Sequence, residues 1–227
     1  MHQLINKKLK IFFYIVILLL FSTFININFH DFISNFFSIK KINIYGVNGQ
    51  KKEKILSKFS RIVSSNIVFI NKDEFKNILD EYNFLENYKV NKKYPSEINI
   101  FLEETKLVAN TNISGKNYFL GSNGKLILTD KANNNIPNIF GKFNTKNFFQ
   151  LISKLENNNF SISNITDFYY FNSQRWDIKT NKGLLIRLPF DNLDNAIKNA
   201  SILILGEIDK KKIIDLRVSN QVIITNE

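Results

Sequence analysis

The sequence predicts an α+β chain: a single N-terminal transmembrane helix, a β-α-α-β-β block, and a mostly antiparallel C-terminal β-domain with two helices. Three observations predict it. Residues 11–29, IFFYIVILLLFSTFININF, carry no charged side chain. Between residues 39 and 105 the apolar period switches from two to three or four and back again. Beyond residue 105, short apolar runs alternate with Asn- and Gly-containing turns.

The apolar run comes first. A helix from Ile11 to His30 spans roughly 30 Å at ~1.5 Å per residue, about the thickness of a bilayer's hydrocarbon core. A buried core helix would be shorter and would show a polar face. Residues 1–10 form a short tail with Lys7, Lys8 and Lys10 and no acid. By the positive-inside rule the tail is cytoplasmic, and everything from Asp31 onward is outside. A cleaved signal peptide begins in the same way, but this run exceeds the usual h-region and no A-x-A-like site follows it. An uncleaved inner-membrane anchor over residues 11–29 is the expectation.

The block over residues 39–105 opens with an alternating strand at 39–47, through Ile42 and Ile44. Residues 52–63 place Ile55, Leu56, Phe59 and Ile62 at helical spacing. Residues 73–83 carry acids in the first turn, where the helix dipole favours them, and align Phe75, Ile78, Leu79 and Tyr82 on one face. Residues 88–94 read as a strand stopped by Pro95. Its partner at 97–103 turns Ile98, Ile100 and Leu102 to one side.

In the β-domain, 106–227, residues 118–121 and 125–129 flank Ser122-Asn123-Gly124, a hairpin signal because such turns need residues that tolerate positive φ. Residues 136–141 read as a loop with apolar anchors. A helix follows at 145–157, N-capped by Asn144 or Thr145. Strands at 165–171, 175–180 and 183–188 precede a second helix at 193–205. Residues 213–218 and 221–225 form a final hairpin around Ser219-Asn220. Only two residues follow Thr225, so the last strand is expected to lack a covering tail.

The composition narrows the function. Thirty-one Lys and Arg stand against 20 Asp and Glu, giving a net charge of +11. Yet no arginine-rich run, aromatic stacking motif or zinc-finger spacing accompanies the charge, which argues against nucleic acid. With no cysteine there is neither disulfide nor thiol chemistry. The two histidines, His2 and His30, fall in the tail and at the membrane face, so no triad, metal site or cofactor site is expected. The pairs Asp73-Glu74, Asp80-Glu81 and Glu103-Glu104 are adjacent, so each diverges on its element and reads as a solvated face or helix start. Asp215, in an apolar strand, is expected to pair with a neighbouring base. The Lys210-Lys211-Lys212 run reads as a solvated turn. Neither an enzyme nor a small-molecule substrate is indicated.

The ordered motifs resemble a known family. A basic tail and one span precede Ile42-x-Ile44-x-Gly46. Then comes Val90-x-Lys92-Lys93-Tyr94-Pro95-Ser96-x-Ile98-x-Ile100-x-Leu102-Glu103-Glu104, followed by Val108-Ala109. Farther on stand Tyr118 to Gly124, Ile136-Pro137 to Gly141, Arg175-Trp176-Asp177-Ile178, Ile186-Arg187-Leu188-Pro189 and Ile214-Asp215-Leu216-Arg217. Together they resemble the FtsQ/DivIB family of bacterial cell division proteins over nearly the whole chain. Where that family's hairpin carries an acid, this chain has Gly121.

The resemblance implies that residues 39–105 are a POTRA domain and that the protein is a non-catalytic scaffold of the division septum. It would sit in the inner membrane with its domains in the periplasm. The implied partners are the periplasmic segments of FtsB and FtsL and other divisome proteins, through which septal peptidoglycan synthesis is recruited and regulated. FtsB binding in the family proceeds partly by strand addition, which implicates Arg217, Val218, Ser219 and Val222 on the last hairpin, with Arg175 nearby. Trp176 is expected in the core. Alternatives are a POTRA-bearing transport or assembly factor, for which there is no room for a barrel, and a membrane-anchored envelope enzyme.

Overall fold

The computed structural model describes residues 7–23, 27–205, 212–218 and 221–226. The chain divides into two compact units, residues 1–82 with 87–103, and residues 83–86 with 104–227.

The first unit opens with α1, Lys7–Thr23, and α2, Ile27–Phe36. This corrects the expected single helix over 11–29. The described helix begins at Lys7, so Lys7, Lys8 and Lys10 lie in its first turn. At ~1.5 Å per residue, 17 residues span only about 26 Å. Among the described residues no helix is long and apolar enough to cross a membrane. Nearly every described side chain of α1 from Leu9 to Phe21 is nevertheless apolar and solvent-facing, with no polar stripe between them.

Next come β1 (Lys41–Tyr45), α3 (Gly49–Lys58) with a 3-10 turn over Phe59–Arg61, α4 (Lys72–Leu79), β2 (Leu85–Lys93) and β3 (Glu97–Glu104). The sheet order is β1-β3-β2, with β1 parallel to β3. Ile44, Ile98 and Ile100 face a core completed by Ile55, Phe59, Phe75 and Leu79 from the helices. Helix α4 starts on a capping box: the Asn71 side chain accepts from Asp73 N, and Glu74 reaches back to Asn71 N. Gly46, at φ +93°, could not be another residue, since a Cβ would lie 1.8 Å from Leu102 O.

The second unit holds a nine-stranded sheet among its described residues, ordered β12-β11-β10-β9-β8-β7-β4-β5-β6. Its strands are β4 (Leu107–Ile113), β5 (Lys116–Gly121), β6 (Leu126–Thr129), β7 (Asn138–Phe140), β8 (Ile165–Tyr170), β9 (Trp176–Thr180), β10 (Leu185–Arg187), β11 (Lys212–Asp215) and β12 (Ile223–Asn226). The β4–β7, β7–β8 and β10–β11 pairs are parallel and the other five antiparallel. Helices α5 (Thr145–Asn157) and α6 (Leu193–Leu205) fall on the expected residues, α5 capped by Asn144. Phe148, Leu151 and Leu155 of α5, with Ile197 and Ala200 of α6, pack on Phe168, Ile178, Ile186 and Ile214 of the sheet. Phe148 is the hub: its ring lies 5.2 Å from Phe168 and 5.9 Å from the buried Trp176.

Two strands escape the sequence pattern. In β4 the buried positions are Ala109, Asn110 and Thr111, and in β7 a strand stands where a loop was expected. Asn110 can be buried because its amide donates to Asn133 O and Ile136 O and its Oδ1 accepts from Asn133 N. Thr111 Oγ1 donates to Ile139 O.

The final hairpin is also corrected. Strand β11 ends at Asp215, not at residue 218, and β12 begins at Ile223, not at 221. The reason lies in Asp215, whose Oδ1 accepts from Arg217 N at 3.1 Å and draws the backbone out of the ladder.

Candidate functional site

Strand β12 is the outer edge of the second unit's sheet, and all four of its residues are exposed. The directions of its backbone groups follow from the register. Leu216 N donates to Arg187 O at 3.0 Å, so the main-chain groups of residues 214 and 216 point toward β10. Strand alternation turns those of Ile213 and Asp215 to β12, where their partners are Thr225 and Ile223. Ile224 therefore turns both its N–H and its C=O to the open side. No charged residue interrupts Val222-Ile223-Ile224-Thr225, and the first three side chains are each more than 40% exposed.

The face of the sheet turned away from the core carries a ladder of charge. Asp177 of β9, Arg187 of β10 and Asp215 of β11 are direct register partners. Arg175 Nε donates to Asp177 Oδ1 at 3.2 Å, and Arg187 lies 4.0 Å from Asp177 and 3.7 Å from Asp215. Arg217 closes the row, its Nε 2.8 and 2.9 Å from the Asp215 oxygens and its Nη2 on Oδ2. At the other end the Arg175 guanidinium lies 4.5 Å over the Phe171 ring. Three guanidiniums thus face two carboxylates, one positive charge in excess. Ile223 follows Asp215 in register, so the ladder runs out to the open edge.

The two acids are tuned in opposite directions. Burial pushes the Asp177 carboxyl above the ordinary carboxylate range, against the pull of Arg175. Hydrogen bonding from Arg217 holds Asp215 below that range and raises the guanidinium in turn.

The sequence-predicted residues fall on this region unevenly. Arg175 and Arg217 belong to one ladder. Val218 and Val222 are exposed but lie between the strands, and Ser219 is outside the described residues. Lys7 and Lys10 are exposed on α1, far along the sequence, and the side chain of Lys8 is not among those described. Sequence reasoning missed Asp177 and Arg187 as site members, although both stand in the quoted motifs. Only the strand register puts them side by side. It also missed Ile224, because the polarity of a backbone edge has no sequence signature.

At the opposite edge, Gly121 has a steric cause. A Cβ there would lie 2.7 Å from Thr105 Cγ2 and 2.7 Å from Asn123 Oδ1. A carboxylate is present all the same: Glu86 Oε2 accepts from Thr105 Oγ1 at 2.6 Å and from Ser122 Oγ at 2.9 Å. These bonds lower the Glu86 pKa. Asn123 completes the turn, donating to Asn83 O and Leu85 O and accepting from Lys125 N.

The fold defines a POTRA unit followed by a β-domain with an open terminal edge. Residues 37–105 match the FtsQ-type POTRA domain, and residues 109–217 match the C-terminal domain of the cell division proteins FtsQ/DivIB. The chain is 25% identical to the cell division protein DivIB of Clostridium acetobutylicum, over 80% of each chain. It is 24% identical to the cell division protein FtsQ of Rickettsia bellii, over 71% of this chain and 61% of that one. Against the extracytoplasmic domain of DivIB from Geobacillus stearothermophilus it is 13% identical, covering 46% of this chain and 95% of that one at a TM-score of 0.31. The chain belongs to the FtsQ/DivIB family of cell division proteins.

Proposed function

We propose that this protein is a non-enzymatic scaffold of the division septum that captures an extended segment of a partner, of the FtsB type with FtsL, along β12. Through that capture it helps recruit and regulate septal peptidoglycan synthesis. The observation that carries the reading is the open, uncharged edge at Ile224. Unpaired main-chain groups on such an edge are a template for an added strand, and the alternating side chains supply the selectivity. Here the two faces of an added strand would meet different surfaces. One side packs beside Ile224, in register with the buried Ile214; the other lies beside Ile223 and the ladder, whose surplus positive charge suits an acidic partner residue. Arg217, Val218 and Val222 line the approach, and Arg175 holds the far end of the ladder.

The same reading makes α1 a membrane anchor. An uninterrupted exposed apolar surface is stable in lipid and costly in water. Lys7, Lys8 and Lys10 would set the orientation, leaving the POTRA domain and the β-domain in the periplasm. This places the protein in the inner membrane at the septum, alongside other divisome proteins.

The test is co-purification of the full chain with the periplasmic segment of an FtsB-type partner, using native protein and Ile224→Pro. Proline at this position deletes an outward donor while sparing the bonds to β11. Weakened capture by a folded variant, by about tenfold, is the expected result; undiminished capture rejects strand addition. A fluorescent fusion supplies the cellular check, with midcell signal expected and uniform envelope signal contradicting a septal role.

A further inference from the structure

One end of the first unit gathers features that the partner edge does not use. The loop between the 3-10 turn and α4 ends in Asn66-Ile67-Val68-Phe69-Ile70-Asn71. Ile67 and Ile70 are buried, whereas Val68 is 46% and Phe69 84% exposed. Phe69 is among the most exposed large apolar side chains of the described residues. It is held out by a rigid frame. The amides of Val68, Phe69 and Ile70 all bond to Asn66, the first through Oδ1 and the others through its carbonyl. The ammonium of Lys92 donates to Ile70 O at 2.9 Å and to Val68 O at 3.5 Å. The tip thus has its amides and two of its carbonyls satisfied within the chain, which lowers the cost of carrying this backbone into the headgroup layer.

This loop is tied to the segment leaving the apolar helices. Ile67 N donates to Phe37 O at 2.8 Å, and Ser38 bridges to Asn66. On α2, Phe32 and Phe36 are exposed and stacked at 6.1 Å. Cations flank the tip: Lys92 beneath it, Lys72 just after it, and Lys40 next to Ile39, which bonds to Ser65. The nearby acids Asp73 and Glu74 are engaged in the cap of α4, Glu97 pairs with Lys93, and Asp31, next to Phe32 on α2, is engaged as well.

We propose that the Val68-Phe69 tip, with Phe32 and Phe36, rests in the headgroup layer of an anionic bilayer and docks the POTRA unit on the membrane beside its anchor. Aromatic side chains at the interface with flanking lysines match the chemistry of that layer. A second copy of the same cation-rimmed face would be repelled. The proposal rests on the reading of α1 as an anchor.

Because the chain has no cysteine, a single Phe69→Cys substitution places one environment-sensitive fluorophore at the tip, with Glu53→Cys as an exposed control. The full chain is reconstituted into phosphatidylcholine vesicles with and without phosphatidylglycerol, and shallow doxyl-labelled lipid serves as quencher. In phosphatidylglycerol vesicles the label at 69 is expected to shift to the blue and lose most of its emission to the quencher, while the label at 53 does neither. Omitting phosphatidylglycerol should lower the quenching several-fold. If the chain floats with vesicles but the label at 69 stays hydrated, the anchor stands and the docking is overturned. If the chain does not float, both fail. A blue shift that grows with protein density yet resists the quencher assigns the tip to a second copy and also overturns the proposal. Equal quenching in neutral vesicles removes the anionic recognition.

Discussion

The two edges of the nine-stranded sheet differ in how they meet solvent. At β6, Gly121 N bonds Lys125 O at 3.0 Å, which turns the backbone of Leu126 and Leu128 outward. The Leu126 carbonyl is then taken by Asn83 Nδ2 at 2.8 Å, and Lys125, Asp130 and Lys131 flank the strand. At β12 no hydrogen bond from a described residue reaches Ile224 from the open side, and no charge lies between Gln221 and Asn226. Natural sheets usually blunt their edges with charge or a covering group. One edge here follows that rule and the other does not, so openness is a property of β12 and not of the fold.

The strongest way to break the comparison is to remove what both edges share. Phe148 is fully buried and touches the rings of Phe143, Phe149, Phe168 and Trp176. Phe148→Ala should cost about 3–5 kcal/mol through lost burial and the cavity left behind. A denaturant titration should show a lower midpoint, with the distinction between the edges lost together with the fold.

A smaller effect separates the edges. Gly121→Ala drives a methyl into Thr105 and should cost about 1–3 kcal/mol as an overpacking change near β6 alone. Thr105→Ala opens the space on one side and leaves Asn123 Oδ1 on the other, so the double variant should lose less than the sum of the two single changes. Gly121→Asp, which restores the family's hairpin acid, should behave like Gly121→Ala. A denaturation cycle that proves additive would remove the steric account of Gly121.

These positions also show what was legible in the sequence. The period of the helices placed α5 and α6, because Phe148, Leu151 and Leu155 or Ala196, Ile197 and Ala200 each report one buried face. Short apolar runs between turn residues placed β8 and β9. Strand β4 was not legible: burial of Asn110 and Thr111 depends on acceptors more than twenty residues away. The apolar run at 11–29 fixed the hydrophobic character of α1 but not its bounds. At the site, Arg175 and Arg217 could be picked from the motif order, whereas Glu86 could not be connected with the hairpin. Its partners Thr105 and Ser122 are 19 and 36 residues distant.

The edges can be compared directly with a mirrored pair of prolines. Ile224→Pro and Leu128→Pro each delete one outward donor and spare the inner ladder, so both should leave stability within about 1 kcal/mol. Only Ile224→Pro should weaken capture of the FtsB-type segment, by about tenfold, the loss of one main-chain hydrogen bond at ~1.4 kcal/mol. Titration calorimetry or a competition pull-down reads the difference. Equal losses from both variants would erase the distinction between the edges.

The smallest effect concerns the ladder that runs out to β12. Asp215 is depressed by its bonds from Arg217, so its stabilisation is present above the unfolded carboxylate pKa of about 3.9 and is lost as pH falls through the lower folded value. Asp177 acts with the opposite sign. Its folded pKa is raised by burial, so ionising it lowers stability as pH climbs from about 3.9 through the folded value. Arg217→Met should remove the first contribution and leave most of the second. Because Arg217 is substantially exposed, the change at pH 7 should stay below about 1 kcal/mol. The informative quantity is therefore the slope: between neutrality and about pH 3 the variant should lose less stability than the native chain. Parallel pH profiles in urea would mean that Arg217 does not hold Asp215 in solution, and that the ladder ends at Asp215, held there by Arg187 alone.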